Sequence, residues 1–556
     1  MYLVLTLLFN SIQMMNKQEK LKKNLRSFSS NKLNLKRILY AAFLMLTVGL
    51  LSGCEDFLVK EPTFLAKENY FKTASDARTA LAGVYDILGR EQTFAGQNVS
   101  HYTLSDEGFY ARAASTVGVF VYNFDAANND VFNLWRLMYE GIERANILIE
   151  RIDQVEMDAT ERDAIKGEAK FLRAFYYFTL VSDFGDVPLR IVPTPSVNNV
   201  DVPRAPQREV YNFIVSEMEE AEGMVKTATQ IGFGGRVSKS AVRGLLAKVN
   251  LKMAGAPLND VTRYAEALKW ARKIVYPESG PVEHGLNPNF RQIFTNLAAD
   301  KYDIRECIWE VECFGNNLGI FEGGRFGNTV GLANNDDDMG YSFGFINTTD
   351  KLYNSYESTD TRRDWTIAPF RYIYNTVNGV PKVRDSTLWT GAEIYNRNTG
   401  KYRRSYEVVN PRNKNYTPIN FPLLRYSDVL LMLAEAENEV NGATTIAKSA
   451  LKQVRDRANA TDVTTSVSSS NDLRELIRNE RFLELAFEGN RKFDLIRWGI
   501  FVSTMNQLGN DIQATAPAAF KYASNAGRNI SERNLLFPIP LRETTLNKAA
   551  TQNPGW

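Results

Sequence analysis

Histidine and cysteine are scarce. The 556 residues hold two histidines, His101 and His284, and three cysteines. Two imidazoles cannot build a multi-histidine metal site, and they argue against a histidine-centred acid–base apparatus. Three cysteines cannot form a disulfide framework. Cys307 and Cys313 sit in the alternating stretch ECIWEVECF. As a strand this would hold them roughly 20 Å apart at about 3.3 Å per residue, so both are expected as free thiols. The motifs HExxH, GxSxG, Walker A and GxGxxG are missing, and no pattern isolates the carboxylate pair that a glycosidase requires. Positive charge is also short once the first 53 residues are set aside. The whole chain is +2, but residues 1–53 carry eight Lys/Arg and one acid, which leaves 58 basic and 63 acidic residues, a balance of −5. That excludes a basic nucleic-acid-binding surface as the organising feature.

What is present begins with a secretory signal at 1–53. Lys36-Arg37 precede the 14-residue apolar run Ile38–Leu51, and Leu51-Ser52-Gly53-Cys54 follow. The run falls short of the roughly 20 residues a spanning helix needs, and the order of regions is that of a cleaved signal. The cysteine at the cut resembles a bacterial lipobox, which implies cleavage before Cys54 and its lipidation. Residues 1–35 are long for an n-region, so translation is expected to start at Met14 or Met15.

The central stretch is Phe421–Gly442, FPLLRYSDVLLMLAEAENEVNG, read as one helix with Pro422 ahead of it and a left-handed cap at Asn441-Gly442. At 100° per residue Asp428, Met432, Glu435 and Glu439 share a narrow face, with Tyr426, Leu430 and Leu433 opposite. Apolar residues on several sides demand several packed neighbours. Glu437 points into the apolar arc, so a buried Arg or Lys partner is expected. Asn479–Gly499 repeats the style, with Arg481, Glu484 and Glu488 as a charged stripe and Gly489 as a cap. Further helical periods cover 75–88, 131–152, 160–182, 206–226, 238–254 (Ser238 as N-cap), 263–275, 444–458 and 472–488. Helix pairs with Ala or Gly at close approaches suggest stacked tetratricopeptide-like hairpins, since one hairpin cannot bury both faces. The fold class is therefore mostly α, with N-terminal helical residues 54–284 and C-terminal residues 421–556 completing the scaffold.

Between them, 285–420 reads as an irregular insertion with short strands at 307–313, 371–374 and 402–408. Residues 309–406 hold 17 aromatics in 98 positions, about 17% against 12% overall. In loop-rich sequence they cannot all be helix-core knobs, so some should be exposed. Asp336-Asp337-Asp338 lacks the ligand spacing of a calcium loop and reads as a solvated acidic turn. No metal or cofactor is expected.

Several stretches together resemble the SusD/RagB family of surface glycan-binding lipoproteins. They are Cys54; Arg173-Ala174-Phe175-Tyr176-Tyr177 with Phe184-Gly185-Asp186-Val187-Pro188-Leu189; Pro422-Leu423-Leu424-Arg425-Tyr426 with Ala434-Glu435-Ala436; Glu480-Arg481 with Glu488-Gly489 and Asp494-Leu495-Ile496-Arg497-Trp498-Gly499; and Phe537-Pro538-Ile539-Pro540 with Gln552-Asn553-Pro554-Gly555. Ser427 and the terminal Trp556 depart from the family's usual Ala and Tyr. The resemblance implies about four tetratricopeptide-like pairs and an irregular ligand-binding region. It also implies lipid anchoring in the outer membrane facing outward, a TonB-dependent SusC-like transporter as partner, and no enzymatic activity. It places ligand contacts on loops after the first helices and in the insertion. There this chain has Tyr102, Asp106, Phe109 and Tyr110, and Phe321, Arg325, Asn328, Tyr341 and Trp365. The expected ligand is an oligosaccharide, held by stacking on flat apolar faces. A peptide ligand, or a protein-binding scaffold or adhesin, is the alternative.

Overall fold

The structure is a computed structural model that describes residues 71–96, 104–196, 198, 201–314 and 323–556. The signal run, Cys54, Tyr102 and Phe321 lie outside the described residues. Helices begin where a polar cap meets an apolar period. Thr73 accepts from the Asp76 amide and Asp76 accepts from the Thr73 amide, a reciprocal cap that opens α1 (Ala74–Tyr85). Asn128 caps α2 (Asn129–Arg151) and Asp158 caps α3 (Ala159–Phe184). Then come α4 (Gln207–Met224), α5 (Lys239–Ala254), whose Ser238 cap accepts from the Ala241 amide as its sequence suggests, α6 (Arg263–Val275) and α7 (Phe290–Ala298).

Consecutive helices stack: α2 on α3, α3 on α4, α4 on α5 and α5 on α6. This is the tetratricopeptide-like arrangement the periodicity implies. At the α2–α3 crossing a Cβ on Gly141 would lie 2.5 Å from a ring carbon of Tyr176. That ring is fully buried, and its hydroxyl donates to the Val84 carbonyl at 2.6 Å, tying α3 to α1. Gly141→Ala is therefore expected to cost about 1–3 kcal/mol by overpacking. A shifted urea midpoint at unchanged m-value is the readout; an unmoved midpoint would show that the Tyr176 ring yields freely.

The central stretch departs from its one-helix reading. Its first five residues, Phe421–Arg425, form a strand that pairs antiparallel with Cys307–Val311, Val311 opposite Phe421 and Cys307 opposite Arg425. Pro422 is compatible with this edge position because it needs no ladder donor there. The helix α8 (Tyr426–Asn441) then runs to Gly442, whose φ of 84° supplies the left-handed cap. It packs on α6, on α9 (Thr445–Arg457) and on α10 (Ser470–Glu484). Its acidic face meets arginines: Asp428 accepts from Arg481 (2.8 Å), Glu435 from Arg497 (2.7 Å) and Glu439 from Arg474. Glu437 pairs with Arg272 at 2.7 Å and accepts from Thr444. The partner expected for it exists but is part-exposed, not buried, because α6 presents Arg272 at the rim.

The second charged stretch divides into α10 and α11 (Arg491–Arg497), and α10 ends at Glu484, short of the Gly489 cap. Phe487 takes a φ of 62° in the turn between them. α12 (Phe501–Thr515) follows. The terminal segment lies against α3: Phe537 donates to the Asp183 carbonyl and Asn553 to the Phe184 carbonyl.

β1 (Gly108–Tyr110) pairs with Ile346–Thr348 of the insertion, where Phe370–Val377 also pairs with Val380–Leu388. The latter hairpin closes on Asn378-Gly379, both at positive φ (51° and 80°), the turn whose twist suits two strands. Asp336 anchors it, accepting from the Val383 amide at 2.8 Å and pairing with Lys382. The acidic turn thus has a structural task beyond solvation. The strand expected over 402–408 is a short 3-10 turn at Arg404–Tyr406. Arg404 there is buried and donates to Glu407 and to the carbonyls of Tyr341, Asn413, Lys414 and Tyr416, which pulls the backbone out of an extended course. Cys307 and Cys313 are free and buried.

Candidate functional site

The pairing of β1 with 346–348 brings a loop after the first helices against the insertion. The ladder continues past the strand ends, because the Ala111 amide donates to the Phe345 carbonyl at 2.7 Å. From Tyr341 to Ile346 burial alternates residue by residue, although Gly344 takes a φ of 56° and the run is not a continuous strand. Ser342, Gly344 and Ile346 turn inward and are buried, while Tyr341, Phe343 and Phe345 are half-exposed. Amides hold the segment in place: Phe343 donates to the Asn328 carbonyl and Phe345 to the Thr329 carbonyl.

The outward side chains meet Tyr110 and Phe120. Phe120 stacks on Tyr110 with centroids 4.0 Å apart, and Tyr110 lies 5.3 Å from Phe345. Phe345 stacks on Phe343 at 4.9 Å and 8°, and Phe343 meets Tyr341 edge-on at 5.0 Å. The result is a continuous strip of five part-exposed rings. Arg112 lies 4.7 Å over Phe345 and donates to the carbonyls of Ala111 and Phe343. Lys414 lies 4.6 Å over Tyr341. Burial raises the Tyr110 phenol above its ordinary pKa, so it is a neutral hydroxyl at every physiological pH. Such a surface offers flat apolar faces edged by N–H and O–H groups, which suits a polyhydroxylated ring with one apolar face.

Two residues named from the sequence, Tyr110 and Tyr341, are in this strip. Others are inside the chain. Asp106 is fully buried between Arg491 (2.8 Å) and Lys351 (2.5 Å). Burial alone would raise its pKa, but those two cations hold it well below the carboxylate range. Phe109 is buried against Tyr395 and Tyr522. Asn328 is buried and donates to the Lys414 carbonyl at 2.8 Å. Trp365 is 6% exposed, with the Arg403 guanidinium 3.9 Å from its ring centre. Arg325 pairs with Glu91 at 2.7 Å and covers the Tyr416 ring. Phe343 and Phe345 cluster with Tyr341 in the aromatic-rich middle of the sequence, whereas Phe120 and Arg112 are placed here by the structure alone. The period-two spacing of 341, 343 and 345, broken by small residues, was the available signal for Phe343 and Phe345.

A second cleft of about 770 Å³ lies between α1, the start of α3 and residues 300–314, with Phe233 and Tyr302 at 5.5 Å and Phe314 exposed. Its lining is heavily ionisable, with Arg78 bound to Glu161 and Arg236 to Glu168. Among the described residues, no helix is long and apolar enough to cross a membrane, and no cluster of His, Cys, Asp and Glu is placed to hold a metal ion.

Comparison with known proteins accounts for this architecture. The sequence model described as the SusD family matches residues 305–556, and one described as starch-binding, associating with outer membrane, matches 63–251. SusD-like protein P2 of Formosa agariphila is 26% identical over 527 residues, covering 91% of this chain and 97% of that protein. The starch-binding protein SusD of Bacteroides thetaiotaomicron is 22% identical over 449 residues, 73% of this chain and 75% of that one. Among solved structures, a SusD homologue from Bacteroides thetaiotaomicron superposes with TM-score 0.78 at 26% identity, covering 89% of this chain and 99% of that one. A laminarin-binding SusD-like protein shares the fold at TM-score 0.66 and 24% identity, over 87% of this chain and 100% of that one. The helix-pair scaffold, the two matching sequence models and the full-length relatives agree: this chain belongs to the SusD/RagB family.

Proposed function

We propose that this protein binds an oligosaccharide on the strip formed by Phe120, Tyr110, Phe345, Phe343 and Tyr341, at the cell surface, and passes it to a TonB-dependent transporter. The observation that carries the reading is the run of five part-exposed rings with Arg112 and Lys414 at its edges. The part-exposed sides of the rings supply apolar contact to sugar C–H groups, while the guanidinium and ammonium beside them serve hydroxyls. The starch-binding name of one relative points the same way. Tyr102 and Phe321, outside the described residues, stay in the candidate set on the family resemblance alone.

Binding without cleavage fits the carboxylates around the strip. Asp336 and Asp338 are paired to Lys382, Asp337 to Lys414, and Glu407 to Arg404. None of the three aspartates is set beside a second carboxyl in the arrangement that glycoside cleavage needs. Anchoring rests on Cys54: its lipidation would hold the protein at the outer membrane, since acyl chains contribute about 0.8 kcal/mol per buried methylene. Labelled palmitate should enter the wild-type chain and not Cys54→Ser. Co-purification of a transporter from the membrane tests delivery.

Calorimetry against a panel of neutral oligosaccharides tests the binding site. Phe343→Ala and Phe345→Ala should each weaken binding about two- to tenfold, the equivalent of about 0.5–1.5 kcal/mol for an aromatic contact. Tyr302→Ala in the second cleft should leave it unchanged. Loss in the Tyr302 variant with full binding in the strip variants would move the site to that cleft.

A further inference from the structure

Away from the strip, a cavity lies where α3, α5, α8 and α11 meet the strand at 421–425. It has room for the centres of water-sized molecules amounting to about 120 Å³, against about 10–15 Å³ for a single water. One end is apolar, with Phe94, Phe175, Leu245 and Phe421. Seven residues along α5, from Leu245 to Lys252, separate that end from the other, roughly 10 Å at 1.5 Å per residue. α3 runs the same course from Phe175 to Asp183. Phe94, Phe178 and Phe493 of the lining are partly exposed, so entry does not require unfolding.

The polar end holds an imbalance. Lys252 lines it, is 6% exposed, and makes no hydrogen bond or ion pair with any described residue. The neighbouring charges are all ion-paired, Asp183 through one oxygen only. Lys248 pairs with Asp428 at 2.9 Å, Arg481 with Asp428 and Asp494 at 2.8 Å, and Arg497 with Asp494 at 2.9 Å. Glu488 is held by Arg425 and Lys401, and Lys492 faces Asp183 at 3.4 Å, leaving Asp183 Oδ2 as an unpaired acceptor. Burial, and then the charges of Arg497 and Lys492, push the Lys252 ammonium down to about 7. A lone buried ammonium costs free energy that an incoming anion would recover.

We propose that this cavity binds a small apolar monocarboxylate, about 10 Å long, with its carboxylate on Lys252 and its hydrocarbon or aryl body between Phe175, Leu245 and Phe421. The site is separate from the aromatic strip and takes a different ligand chemistry. Nothing in it depends on the oligosaccharide reading.

The test is calorimetry on the purified full-length mature chain with 4-phenylbutyrate, and with 4-phenylbutan-1-ol as its uncharged counterpart. The acid should bind saturably at one site, the alcohol at least about tenfold more weakly. Lys252→Met should lower affinity for the acid at least about tenfold while leaving the alcohol's unchanged. Replacing an unpaired buried amine with an apolar side chain is not expected to impair folding; if it does, the acid-to-alcohol ratio on the wild-type chain decides alone. No saturable binding of the acid at millimolar concentration, equal affinity for the alcohol, or full acid affinity in a folded Lys252→Met protein would each overturn the proposal.

Discussion

Arg425→Met is expected to destabilise the protein by about 3–5 kcal/mol, the cost of removing one partner from a buried ion cluster. The side chain is 1% exposed. It donates to Glu488 at 2.7 and 2.8 Å, to Glu306 at 2.8 Å, to Glu484 at 2.8 Å, to the Ser427 hydroxyl and to the Glu484 carbonyl. No single lysine could replace that fork, since an ammonium has three donors and no fixed plane. The remaining cations are already engaged. Arg362 serves Asp360, Glu480 and Glu484, Arg457 serves Glu484, and Lys401 serves Glu488. Methionine would therefore leave Glu306 with only the more distant Arg457 (3.9 Å) and the Asn287 amide, and would strand one edge of Glu488. Glu306 is already raised above its ordinary pKa by burial and would take up a proton. The measurement is urea unfolding at pH 7. A loss below about 1 kcal/mol would mean that the other cations redistribute, and that the cluster is not an all-or-none unit.

The second large effect is a pH dependence. Burial, and then the neighbouring charge of Asp106, raise Glu107 to about 8. Burial raises Glu310 to about 8 despite the hydrogen bond from Asn420. Their ordinary value is 4.5. The folded chain thus holds protons on these carboxyls that the unfolded chain releases. Their contribution to stability is complete below about pH 4.5 and is lost as pH rises to about 8. Each pH unit in that window costs about 1.4 kcal/mol per group, so about 3 kcal/mol per carboxyl between pH 6 and 8. Lys252 and Lys401, pushed down to about 7 and 8 by burial, add stability as pH rises above those values and oppose the trend. The reading is therefore the difference between proteins. Glu107→Gln with Glu310→Gln should gain on the wild type steadily from pH 6 to 8 in urea unfolding. Parallel stability curves for the two proteins would refute it. Acid behaviour has the opposite sign: Asp428, held at about 2 by Lys248 and Arg481 against the upward pull of burial, contributes above about pH 4 and is lost on acidification.

The helices were readable because amphipathic period, caps and propensity agree locally. Ser238 before α5 and Gly442 after α8 stand where the sequence places them. Phe421–Arg425 was not readable as a strand. Its apolar run suits a helix equally well, and only Cys307–Val311, more than a hundred residues away, supplies the ladder partner. The second arm of the exposed hairpin, Val380–Leu388, lacks an alternating apolar pattern because neither of its faces is fully buried. For the strip, density of aromatics marked the insertion, and Tyr110 and Tyr341 were named. The family resemblance points equally to Trp365 and Phe109, yet packing puts them inside. Composition alone does not separate a ring that covers a core from one that faces solvent.

The sequence by itself determined the helical period, the caps, the family, and the concentration of rings in the middle third. These are properties of neighbouring residues, within reach of a turn or a motif. Only the tertiary structure decided which rings share a surface, which carboxylates are neutralised, and that Lys252 makes no ion pair among the described residues. Those depend on side chains brought together from distant parts of the chain, and the pairing of 108–110 with 346–348 is what puts Tyr110 beside Phe345.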